Sequence, residues 1–93
     1  MAVTVPLRSR MLAFYETLVR TLPPKSQSDR TCFRRLTNWL QDGIEAGRLE
    51  EDVLREVLTY AQEARGPGIR NPRAVFITIC KKELGYDSTQ ARP

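Results

Sequence analysis

Proline and glycine cut this chain into four stretches, and each stretch has room for one helix. The breaks fall at Pro23-Pro24, Gly47, Gly66-Pro67-Gly68 and Gly85. Proline cannot continue a helix and turns the residue before it away from helical geometry. Glycine takes the left-handed conformation that commonly closes a helix. Between the breaks, apolar residues recur at steps of three and four, the period of an amphipathic helix. The spacing therefore predicts an all-α fold, a compact bundle of about four helices at residues 6–22, 29–46, 50–65 and 72–84.

The first helix has Thr4 or Val5 ahead of Pro6, a residue suited to a first turn. Leu7, Met11, Phe14, Tyr15, Leu18 and Leu22 form its apolar face, opposite Arg10, Glu16, Thr17 and Arg20. The second helix takes Ser28 or Asp29 as its cap. Its stripe is Phe33, Leu36, Trp39, Leu40 and Ile44, with Cys32 at the edge. The acidic run Glu50-Glu51-Asp52 reads as the start of the third helix, where carboxylates suit the positive end of the dipole. That helix buries Val53, Leu54, Val57, Leu58, Tyr60, Ala61 and Ala64, and exposes Glu51, Asp52, Arg55, Glu56, Thr59, Gln62 and Glu63. Trp39 and Tyr60 lie on apolar stripes and are expected in the core.

The fourth stretch is ambiguous in composition. Residues 74–80 are rich in β-branched side chains, which favour strands. The pair Asn71-Pro72, a cap followed by proline at the first helical position, and Gly85 at the other end decide for a helix. Its apolar arc covers more than half the circumference, so it is expected to be the central, most buried helix. Residues 1–86 then make a single domain, and residues 87–93 a flexible polar tail. Met1 and the full set of caps read as a whole small protein.

The missing residue types exclude several kinds of chemistry. The chain of 93 residues contains no histidine and two cysteines, Cys32 and Cys80. A nucleophile that relies on a histidine base has none in this chain. Two cysteines far apart in sequence fall short of a zinc ligand set, and the acidic run lacks the spacing and the glycine of a calcium loop. No glycine-rich phosphate loop occurs. No enzyme activity, metal or cofactor is expected. No apolar run approaches the ~18 residues of a membrane span. Residues 1–10 lack the apolar stretch of a signal peptide. The expected location is the cytoplasm, where Cys32 and Cys80 serve as small buried hydrophobes rather than a disulfide.

Charge carries the functional reading. The net charge is +4, but the total hides a pattern. Residues 1–41 hold seven basic and two acidic groups, residues 42–63 two basic and seven acidic, and residues 64–93 six basic and two acidic. Twelve of the fifteen bases are arginine, whose planar fork pairs with phosphate or carboxylate. The second helix begins with Arg30, Arg34 and Arg35, and the fourth with Arg70 and Arg73. That order opposes the helix dipole, which favours acids at a start. Arginine beside the free N–H groups of a helix start makes an anion site. Arg30, Arg34, Arg35, Arg70, Arg73, Lys81 and Lys82 are accordingly the candidate nucleic-acid contacts. Surface salt bridges are the plainer reading of the same arginines, with Arg34 or Arg35 reaching the acids of the third helix. Glu51, Asp52, Glu56 and Glu63 form the candidate protein-binding face. Phosphates would repel that face, so the third helix is a poor recognition helix for DNA.

Residues 71–77, Asn-Pro-Arg-Ala-Val-Phe-Ile, continuing to Lys81-Lys82-Glu83-Leu84-Gly85, are similar to the Asn-Pro-initiated terminal helix of bacterial plasmid and phage replication initiators and helicase-loader-type accessory domains. The resemblance covers about fifteen residues. It implies an α-helical module that contacts DNA or a replication protein. Two readings stay open. One is a non-enzymatic accessory or adaptor module of nucleic-acid metabolism, holding phosphate through the arginines and a protein through the acidic face. The other is a pure protein-interaction or self-assembly domain, a homo-oligomer joined through complementary faces.

Overall fold

The computed structural model describes residues 5–91. Its four α-helices are α1 (Leu7–Thr21), α2 (Gln27–Glu45), α3 (Val53–Glu63) and α4 (Pro72–Leu84), followed by a single 3-10 turn at Ser88–Gln90. No strand occurs among the described residues, and residues 74–80 are helical throughout. The α1 helix packs against both α2 and α3, α3 packs against α4, and the 3-10 turn packs against α2.

The ends of the helices show how local chemistry sets their lengths. Pro6 occupies the cap position of α1 rather than its first turn, and supplies no side-chain cap bond. Thr4 lies outside the described residues. The cap of α2 is Ser26, not Ser28 or Asp29: its hydroxyl accepts from the Asp29 N–H at 3.1 Å. The helix thus starts two residues earlier than the stretch beginning at Asp29. Glu50, Glu51 and Asp52 form a turn ahead of α3 instead of its first residues, and the Val53 N–H bonds the Glu50 carbonyl. Asn71 caps α4 by accepting from the Ala74 N–H at 3.2 Å, and Gly85 closes it in the left-handed conformation. Beyond Gly85, Asp87 accepts bonds from both the N–H and the hydroxyl of Thr89. The segment read as a polar tail therefore begins with a defined turn, and Ala91 packs against the core.

The most buried helix is α2, not α4. It encloses Phe33, Leu36, Thr37, Trp39, Leu40 and Gly43, whereas α4 buries only Phe76 and Cys80. The reason is coverage. One side of α2 meets α1, Phe33 meets Phe76 of α4 edge-on at 5.9 Å, and Trp39 meets Tyr86 edge-on at 5.2 Å. The wide apolar arc of α4 is only partly used: Val75 and Ile77 are half-buried at its margins. Tyr60, expected in the core, is likewise half-buried, while Trp39 is buried as expected. Gly43 allows a close approach, because a Cβ there would sit 2.5 Å from Leu49 Cδ1. Thr37 is buried but satisfied, its hydroxyl donating to the Phe33 carbonyl at 2.8 Å.

Candidate functional site: charged surfaces

The earlier start of α2 changes the meaning of its arginines. Asp29 falls in the first turn, where a carboxylate suits the dipole. Arg30, Arg34 and Arg35 follow it, at and beyond the end of the region in which the dipole acts. The conflict with the dipole is therefore relieved at the start of α2, but its last turn still holds Asp42 and Glu45 and no base, as the sequence order implied. Asp29 also holds the helix start in place: its carboxylate accepts from the Lys25 N–H at 2.9 Å. The same carboxylate pairs with Arg73 at 3.1 Å.

That ion pair joins the starts of α2 and α4. Arg73 does sit in the first turn of α4, against the dipole, but Asp29 neutralises it. Its guanidinium also donates to the Pro23 carbonyl at 3.4 Å. The side chain is only 15% exposed, so Arg73 is a structural clasp as much as a surface cation. The cleft around it is lined by Ser28, Asp29, Cys32, Asn71, Thr78 and Lys81, among others. It therefore combines one carboxylate with two cations.

The remaining candidate cations do not converge on one spot. Arg30 and Arg34, four residues apart, share one flank of α2. Arg34 lines a groove there with Arg8, which the sequence reading did not single out. Arg35 lies about 100° further round the helix. It lines a separate cleft with Thr31, Tyr86 and Ser88. Arg70 is exposed immediately before the Asn71 cap. Lys81 and Lys82 are exposed in the last turn of α4, where cations suit the dipole, and they face different sides.

The acidic set is more coherent, with one exception. Asp52, Glu56 and Glu63 are exposed at spacings that place them along one flank of α3. Tyr60 lies at the margin of that flank. Burial raises its phenol above the ordinary range, and the carboxylates of Glu56, Glu83 and Glu63 push it the same way. Glu83 of α4 thus joins the acidic flank from a neighbouring helix. Glu51 stands apart: it pairs with Arg10 at 2.7 Å, and Arg10 also donates to the Val5 carbonyl. Arg10, read from sequence as simply exposed, ties α1 to the turn before α3.

Both cysteines are free thiols, Cys80 buried and Cys32 half-buried. Burial pushes Cys80 up to about 12, with Cys32 adding to the shift. Cys32 is raised by burial first and by Asp29 second. Such thiols are poor nucleophiles, because the thiolate is the reactive form. Among the described residues, no group of three or more His, Cys, Asp or Glu side chains is placed to hold a metal ion. No helix among them is long and apolar enough to cross a membrane. Comparison with protein-family models, with curated proteins and with solved structures found no match.

Proposed function

We propose that this chain is a non-catalytic adaptor of nucleic-acid metabolism. Exposed guanidinium groups on α2 hold nucleic-acid phosphate, and the acidic flank of α3 meets a protein. The observation that carries the reading is the separation of charge between two helices. Arg30, Arg34 and Arg35 are exposed on α2, while Glu56 and Glu63 are exposed on α3 and Asp52 in the turn before it. Arg70, Lys81 and Lys82 extend the cationic surface onto α4. In this reading phosphate is met by side chains rather than by the helix starts, since Ser26 and Asn71 already occupy N–H groups there. Contacts of that kind position a protein on nucleic acid without reading sequence. The resemblance of residues 71–85 to a helix of replication accessory domains fits the same role.

A gel shift with random-sequence DNA and RNA tests it. Arg30→Glu with Arg35→Glu should weaken binding alike on all sequences. It should also lower the slope of log affinity against log salt by about 2, one unit for each lost phosphate contact. Wild-type protein that shifts neither nucleic acid at low salt would remove the phosphate half of the proposal.

A second reading, a purely protein-binding module, is favoured by the Asp29–Arg73 pair. That pair satisfies inside the fold a charge that otherwise signals an external anion. Unchanged DNA and RNA mobility combined with capture of a protein dependent on Glu56 and Glu63 would decide for it.

A further inference from the structure

The groove between α1 and α2 has a volume of about 450 Å³. Met11, Leu12 and Tyr15 give it an apolar floor, and Arg8 and Arg34 flank that floor. Among the described residues that line it there is no acid. Leu12 is 60% exposed, a large apolar side chain left in water beside two cations. An occupant that suits this groove presents an apolar group between carboxylates.

The same chain carries such a surface. On α3, Tyr60 is half-buried, four residues after Glu56 and three before Glu63. The two carboxylates are two turns apart, about 10 Å along the helix. We propose that the α1–α2 groove receives the acidic flank of α3 from a second copy of this chain. Tyr60 lies over Met11, Leu12 and Tyr15, and Glu56 and Glu63 pair with Arg34 and Arg8. Tyrosine and arginine are the side chains that most often dominate such contacts. Arginine forks meet carboxylates in two-pronged fashion. Groove and flank are different surfaces, so the contact is head-to-tail and extends into chains unless its rotation closes a ring. The inference rests on the acidic flank as a protein-binding surface, and adds the partner and its receptor.

Sedimentation velocity on the full chain, from micromolar to millimolar protein, tests this. The weight-average mass should rise above the 10.7 kDa of one copy and fall back as salt is added. Two charge-swapped variants give the specific result. Arg8→Glu with Arg34→Glu spoils the groove, and Glu56→Arg with Glu63→Arg spoils the flank. Each alone should stay monomeric with unchanged helical circular dichroism. Mixed, they should associate, because each offers the surface that the other accepts. Leu12→Ser, at an exposed position, should weaken self-association at least tenfold without unfolding the chain. A wild type that stays monomeric at millimolar concentration and low salt overturns the proposal. So does a mixture of the swapped variants that stays monomeric. Arg34 is common to both surfaces, but the gel shift is read through Arg30→Glu with Arg35→Glu, which lie outside the groove lining, so the two proposals fail separately.

Discussion

Tyr86 and Trp39 show what single atoms contribute. Their rings meet edge-on at 5.2 Å, yet Trp39 Nε1 and the Tyr86 hydroxyl are buried without a hydrogen-bond partner among the described residues. An unmet buried polar group costs about 1–3 kcal/mol. Tyr86→Phe keeps the ring contact and deletes the stranded hydroxyl. It should leave stability unchanged or raise it by up to about 1 kcal/mol in urea unfolding. A clear loss of stability would mean that the hydroxyl has a partner. Burial also pushes the Tyr86 phenol up to about 12, as it does the Cys80 thiol. In the unfolded chain these groups ionise near their ordinary values, 10.0 and 9.0. The folded state therefore binds more protons than the unfolded state above pH 9. Stability is full below that pH and falls as pH rises toward 12. Urea midpoints measured from pH 8 to pH 11 should decline, and Tyr86→Phe should flatten the upper part of the decline. Trp39 was legible as core from its stripe, whereas Tyr86, past the end of α4, carried no such signal: their pairing joins positions 47 apart and no periodicity encodes it.

At the scale of elements, the caps decide where charge lies. Ser26→Ala and Asn71→Ala should each cost about 1 kcal/mol, measured by thermal or urea unfolding. Asp29→Asn tests a double role, since this carboxylate anchors the start of α2 and neutralises Arg73. It should lower stability, and under the phosphate reading it should strengthen oligonucleotide binding by removing a repelling charge and releasing Arg73. Unchanged affinity would show that Arg73 is a clasp and nothing more. The existence and order of the four helices were legible, because the Pro and Gly breaks and the three- and four-residue steps act locally. The ends of α4 were legible for the same reason: Asn71-Pro72 and Gly85 leave little choice. The start of α2 was not, since Ser26, Ser28 and Asp29 are all good caps within four positions, and only the geometry of the preceding loop ranks them. Moving that start by two residues put Asp29 inside the first turn and removed the apparent conflict with the dipole at that end, while Asp42 and Glu45 remain in the last turn.

At the scale of the whole molecule, two long-range facts lay beyond the sequence. The first is coverage. A broad apolar arc marked α4 as central, but a helix becomes central only when neighbours cover it on several sides, and here they cover α2. Phe33 and Phe76 are both fully buried where α2 meets α4. Phe76→Ala should cost about 3–5 kcal/mol, a large share of the stability of a small domain, and should lower the urea midpoint accordingly. The second is the division of the charged residues. On the acidic flank, Glu56 and Glu63 lie on α3 and Asp52, in the turn before it, continues their period. Glu51 left it for Arg10, and Glu83 and Tyr60 joined it. The seven cations, spread over α2, α4 and the loop before α4, do not share one site: Arg34, Arg35 and the pair Arg73 and Lys81 line three different clefts, and Arg8 joins the first of them.

In the proposed function, the exposed cations of α2 meet phosphate and the acidic flank of α3 meets protein. Two-dimensional NMR of isotope-labelled Leu12→Ser protein in dilute solution, where self-association is weakened, titrated with a random-sequence oligonucleotide at low salt, separates the two surfaces. Shifts should be confined to α2 around Arg30 to Arg35 and to the ends of α4, with Asp52, Glu56 and Glu63 unmoved. Shifts centred on α3, or none anywhere, would contradict it.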